Sequence, residues 1–189
     1  MKAKGFTLIE LVTVIVILGI LSITALPRFI NLTQDAHDSI AHATFAAFES
    51  GVGLYHNCWL ASSEQGHVKN LACFGAGNID STSSGFPLGE DTATSGAGNV
   101  DGDILKGSNC EELWYGLLDS EFQLAPHSDA AFTPENDIVF WYSATDATDA
   151  DTHCYYNYIS DNPAKGQENW QMRYYPATGK VVVGRGTLS

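Results

Sequence analysis

Lys4-Gly5-Phe6-Thr7-Leu8-Ile9-Glu10 is the stretch on which the reading of this 189-residue chain turns. Lys2 and Lys4 precede Gly5, and from Phe6 to Leu26 the only charged residue is Glu10. At about 1.5 Å of rise per residue, an apolar run of this length crosses a bilayer as one helix. A carboxylate near its start is costly in lipid, so it must find a partner and serve a purpose. Two readings follow from the residues alone. A secretory signal would use Lys2 and Lys4 as its positive end and be cut after Ile23-Thr24-Ala25, but the carboxylate and the length both count against it. A plain membrane anchor explains the length and leaves Glu10 without a role.

A third reading rests on resemblance. Lys-Gly-Phe-Thr-Leu-Ile-Glu resembles the processing site of type IV prepilins. The resemblance implies that a membrane peptidase cuts after Gly5 and methylates the new amino terminus, Phe6. It makes Glu10 the family's signature acid, and it matches Gly19 and Pro27 to a helix-softening glycine and a helix-kinking proline. All these positions agree, so this reading is preferred.

Charge and cysteine usage bound the rest. The formal net charge is −13, and it falls by two, to −15, when Lys2 and Lys4 leave with the leader. An acidic surface argues against binding a phosphate backbone, which needs a basic patch, so no nucleic-acid partner is expected. Cys58, Cys73, Cys110 and Cys154 all follow the apolar run. An even number in an exported segment reads as two disulfides, and with no Cys-x-x-Cys pair zinc is a weak alternative. Lys2 and Lys4 stay cytoplasmic, which places everything after Leu26 outside.

Pro27 removes a helical hydrogen bond and should kink the chain there. Beyond it Phe29, Leu32, Ala36, Ile40, Ala43 and Ala47 recur at spacings of three or four, with Phe45, Phe48, Val52 and Tyr55 as an adjacent stripe. A long helix with lipid around its first half and a folded head against its second is expected. His37 and His42 are spaced wrongly for two ligands on one helix face and read as solvated. From His56 to Gly107 small and polar residues dominate, giving an irregular region stapled at Cys58 and Cys73 rather than held by its own core. Within it Ser84-Gly85-Phe86-Pro87-Leu88 reads as a turn. Asn99, Asp101 and Asp103 alternate as calcium ligands do, but Ile104 and Cys110 stand where a calcium loop needs Gly and Glu, so an Asp-Gly turn is preferred. Asp146, Asp149 and Asp151 are calcium-like only weakly, and no metal or cofactor is expected. Asn31-Leu32-Thr33 is a formal glycosylation sequon on a helix.

Ser108-x-x-Glu111 has the pattern of a capping box and opens a short helix through Leu118. Ile138–Tyr142, Cys154–Ile159, Trp170–Tyr175 and Lys180–Val183 are strand candidates, the last two joined by a turn at Pro176-Ala177-Thr178-Gly179. Local connections favour a four-stranded antiparallel meander covering the second half of the long helix, an α+β head. The domains expected are a leader at 1–5, a transmembrane and filament-core helix at 6–27, an amphipathic helix at 28–55 and a globular head at 56–189. Of three possible pairings, Cys58–Cys73 closes a local loop and Cys110–Cys154 ties the short helix to the sheet. Cys110-Glu111-Glu112-Leu113-Trp114, Cys154-Tyr155-Tyr156 and a Tyr-x-x-x-Thr-Gly-Lys-Val run ending at Val181 resemble pilins of the mannose-sensitive haemagglutinin group.

Nothing in the chain assembles an enzyme by motif. The six histidines sit in unrelated contexts, and G-x-S-x-G, a phosphate-binding glycine loop and HExxH are all missing. The resemblance implies a structural subunit, inserted in the bacterial inner membrane with a periplasmic head and then polymerised with copies of itself into an extracellular filament used in attachment. A peptidase and an inner-membrane assembly machine would be its partners. The rivals are a type II secretion pseudopilin and a minor pilin of a pilus or DNA-uptake machine. The size and the cysteines favour a pilin, and Glu10 favours a major one.

Overall fold

The computed structural model of the chain describes residues 6–90 and 103–188, with the backbone alone at positions 26–28, 30 and 31. Gly5, Asn99 and Asp101, named above, lie outside the described residues. The chain divides into two units, one ending at Ser39 and the other running Ile40–Ser189. A single helix, α1 (Leu8–Ala61), supplies the described part of the first and opens the second.

In the first unit Leu8–Ala25 has a mean hydropathy of 2.6 and none of it is buried, so this span is long and apolar enough to cross a membrane. Its hydroxyls are turned back on the helix. Thr13 Oγ1 donates to the Ile9 carbonyl (2.9 Å), Ser22 Oγ to Leu18 (2.7 Å) and Thr24 Oγ1 to Leu21 (2.9 Å). In hydrocarbon, where no water can satisfy a hydroxyl, this return makes polar side chains tolerable. Pro27 lies inside α1, which runs on past it.

Two expectations about α1 are corrected. It continues beyond Tyr55 through Ala61, so His56, Cys58 and Trp59 are helical rather than part of an irregular region. The His56 ring, stacked between Trp59 and Phe86, packs these last turns against the head. The buried face is also not the stripe first read. Ala41, Phe45, Phe48, Val52 and Tyr55 are buried, whereas Ala43 and Ala47 are exposed and Ile40 is 43% exposed. The head takes the aromatic row, which carries more apolar area, and leaves the small-residue row open.

The head adds β1 (Ile79–Ser81), β2 (Pro87–Glu90), α2 (Gly107–Leu117), β3 (Leu124–Pro126), a 3-10 turn at Asp129–Ala131, β4 (Ile138–Tyr142), β5 (Cys154–Tyr158), β6 (Glu168–Tyr175) and β7 (Lys180–Thr187). β4 to β7 form the expected antiparallel meander, but the sheet has five strands in the order β3-β4-β5-β6-β7, and β3 pairs with β4 in parallel. A three-residue strand ending in Pro126 is too short to show a period in sequence. The turn between β6 and β7 sits at the expected residues, with Gly179 at φ +68° donating to the Tyr175 carbonyl at 2.8 Å.

The inner face of the sheet is tied down by buried phenols. Tyr156 Oη donates to the Cys110 carbonyl of α2 (2.6 Å) and Tyr174 Oη to Pro87 of β2 (2.6 Å), while Tyr55 Oη of α1 reaches Ile79 of β1 (3.0 Å). Each bond joins two elements and satisfies a carbonyl that burial would otherwise orphan. Cys110 and Cys154 are joined with Cα atoms 5.6 Å apart, linking α2 to β5, and Cys58 is joined to Cys73 across 6.0 Å.

The segment from Ser62 to Glu90 has its own order, contrary to expectation. β1 and β2 form an antiparallel hairpin whose Ile79 and Leu88 are buried together with Leu71. The polar residues that hid it work on the backbone. Asp80 accepts from the Asn70 N–H (2.7 Å), and Ser81 Oγ from the Val68 N–H (2.9 Å). α2 also starts differently from the sequence reading. Lys106 is its N-cap residue, Ser108 lies inside the helix, and Asn109 Oδ1 accepts the Lys106 N–H at 2.9 Å.

A pH dependence follows from the acids around α2. Burial, then repulsion from Glu112, pushes the Glu111 carboxyl above its ordinary value and does the same to Glu90 against a smaller opposing hydrogen bond from Asn78. At these two carboxyls the folded head holds protons more tightly than the unfolded chain. That stability is fully present below the ordinary glutamate value of 4.5 and is lost as pH rises through the raised folded values. Melting temperatures measured between about pH 4 and pH 7 should decline from this source. Glu112→Gln, which keeps an acceptor and removes the charge, should flatten the decline.

Candidate functional site: the amino-terminal end of α1

Phe6 precedes the helix and is 89% exposed. Thr7 is the residue before Leu8, and it meets Glu10 in both directions. The Thr7 N–H donates to Glu10 Oε2 (2.9 Å) and so does Thr7 Oγ1 (2.8 Å), while the Glu10 N–H donates to Thr7 Oγ1 (3.3 Å). This is a reciprocal capping box, with Thr7 as N-cap and Glu10 as the third helical residue. It satisfies donors that a helix end leaves orphaned, and it sets a carboxylate at the positive end of the helix dipole.

Thr7 was missed in the sequence, although Thr7-x-x-Glu10 is the pattern that was credited to Ser108-x-x-Glu111. The box uses Glu10 Oε2. Among the described residues Oε1 accepts nothing, so the carboxylate can cap its own helix and still take an outside cation. Gly19 stands within the apolar span with open space where a Cβ would lie, and Pro27 is eight residues further along the same helix. Neither lies beside Glu10; the candidate residues share a helix, not a pocket.

Three of the calcium-like acids are engaged with other groups. Asp103 accepts from the Ser83 N–H (2.6 Å), Asp146 from the N–H and hydroxyl of Thr148 (2.9 and 2.7 Å) and Asp149 from the Asp151 N–H (2.9 Å). The Asp146 and Asp149 contacts are local and turn-forming, whereas Asp103 ties its loop to a residue 20 positions earlier. His42 lies edge-on to Trp170 with ring centroids 4.1 Å apart.

Comparison with known families assigns the segment just described. Residues 1–26 match the family described as the prokaryotic N-terminal methylation motif. The chain carries a prepilin-type amino terminus. Over 54 residues it is 54% identical to the type IV narrow pilus major component PilA5 of Thermus thermophilus, an alignment that takes in 29% of this chain. The chain spans about half the length of that curated relative, 47%. No solved structure matches this chain. The prepilin-type end, a membrane-length helix and a disulfide-linked α+β head thus occur in one chain.

Proposed function

We propose that this chain is a structural subunit of a type IV pilus. The observation that carries the reading is the methylation motif on residues 1–26, set on an apolar helix with an exposed acid near its start. A prepilin peptidase cuts after Gly5, and Phe6 becomes a methylated amino terminus. Lys2 and Lys4 hold the short leader in the cytoplasm while the head folds outside and its four cysteines pair. In the bilayer the apolar surface of Leu8–Ala25 is solvated by lipid. On extraction into a filament it is buried against the same surface of neighbouring copies.

Glu10 then specifies register. Its Oε1 takes the Phe6 amine of an adjacent copy, and an offset that leaves either charge unpaired is penalised. Gly19 softens the helix within its apolar span, and Pro27 does so just past that span's end. Attachment to surfaces is the use of the filament that accompanies this reading. Immunogold electron microscopy with antibody against the head tests it: label should run along the length of surface filaments and vanish when the chain is deleted. Label confined to the cell body would contradict it.

A further inference from the structure

Half of the head's described Lys and Arg residues collect on the last two strands of its sheet, where Glu168 is the one acid. Of the six Lys and Arg residues among those described, Arg173, Lys180 and Arg185 lie on β6 and β7, and β7 is the edge strand. Arg173 and Arg185 line one cleft of about 100 Å³ with Val182 and Gly184. Arg173 is fixed from within: its Nε donates to Gln171 Oε1 (2.8 Å), and the buried Gln171 donates in turn to the buried Asn157 (3.3 Å). Among the described residues no carboxylate pairs with Arg173, although the chain carries 22 acids against 9 basic residues. Val182, paired with Arg173 from β7, is 38% exposed.

The other edge has the complementary character. The loop leading from α2 into β3 borders a groove of about 630 Å³ whose floor includes Ala43, Ala47, Leu118 and Phe122. Asp119 and Glu121 stand exposed on its rim, and among the described residues neither carboxylate has a partner. Asp137, on the same rim, is engaged by the Gln123 N–H (2.8 Å) and Ser160 Oγ (2.8 Å). The groove thus offers small side chains that allow close approach and two carboxylates in need of cations.

We propose that the β6–β7 edge of one copy docks into the acidic groove of a second copy, with Arg173 and Lys180 meeting Asp119 and Glu121. The two surfaces lie at opposite edges of one sheet, so a chain uses each toward a different neighbour. Such a contact is heterologous and propagates from copy to copy instead of closing a symmetric pair. The inference rests on the pilus-subunit reading and adds which faces of the head meet. Exposed charge pairs contribute orientation and partner choice more than affinity, and salt weakens them.

The test uses the full chain as the only copy in cells. Arg173→Glu with Lys180→Glu, and separately Asp119→Lys with Glu121→Lys, should each lower the yield of sheared filaments by at least about tenfold. The chain carrying all four substitutions should recover to within about twofold of the native yield, because the pairs re-form with signs exchanged. Recovery also demonstrates that the substituted heads fold. Native yields from either double variant, or no recovery in the fourfold variant while its disulfide-bonded chain stands at native level, would overturn the interface and leave the pilus reading standing. Absence of the native chain from filaments would overturn both.

Discussion

Cells whose only copy carries Glu10→Gln should process the chain normally and insert it in the membrane, yet show surface filaments reduced by about a hundredfold or more. The substitution isolates charge from helix geometry. Glutamine serves in a capping box as glutamate does, so its side-chain oxygen can still accept from Thr7 and α1 keeps its start. What disappears is the negative charge that, in the proposed filament, meets a neighbour's Phe6 amine. Breaking a buried ion pair costs on the order of 3–5 kcal/mol, a factor of about a hundred to several thousand in the contact. Losing the cap alone costs only about 1 kcal/mol, so Thr7→Val should weaken filaments far less. Electron microscopy and immunoblots for the cleaved form separate the two effects. Native filament numbers in the Glu10→Gln strain would contradict the pairing.

The second large effect concerns the head. Cys110→Ser with Cys154→Ser opens a bridge between α2 and β5 whose two residues are fully buried and 44 apart in sequence. In the chain-entropy model a loop of that size contributes roughly 4 kcal/mol, and two buried hydroxyls add to the loss. The bridge holds the Cys110 carbonyl where Tyr156 Oη donates to it at 2.6 Å, so the pairing of α2 with the sheet should loosen as a unit. A melting temperature lower by about 10 °C or more is expected, with a smaller shift for Cys58→Ser with Cys73→Ser, whose loop is shorter. Equal shifts would mean that loop length does not govern the difference.

Most of the architecture was legible because its signals were long or chemically costly. A charged residue in an apolar run, strands rich in aromatic and β-branched side chains, and a Thr-Gly turn each have few competing explanations. Illegible parts share a different property: their polar residues act on backbone that only the fold brings near. Asp80 and Ser81 look like loop residues until Asn70 and Val68 arrive as donors. β3 is three residues long and pairs in parallel, which no local pattern announces. The choice between the two stripes of α1 depended on what the head supplies, and Trp114, Tyr156 and Tyr174 favour Phe48 over Ala47. At the candidate site the acid is evident in sequence and its partner is not, because Thr7 belongs to the processing motif and only the fold shows it capping the helix that starts at Leu8. The opposed charges at the two sheet edges were beyond reach, since strand order alone puts Arg173 and Glu121 on opposite sides.

Intact-mass measurement of the chain recovered from filaments sheared from cells tests the central claim most directly. A prepilin-type subunit gives a chain that begins at Phe6, carries one methyl group on its amine and contains two disulfides. A chain beginning at Leu26, or filaments that do not contain this chain, would contradict it.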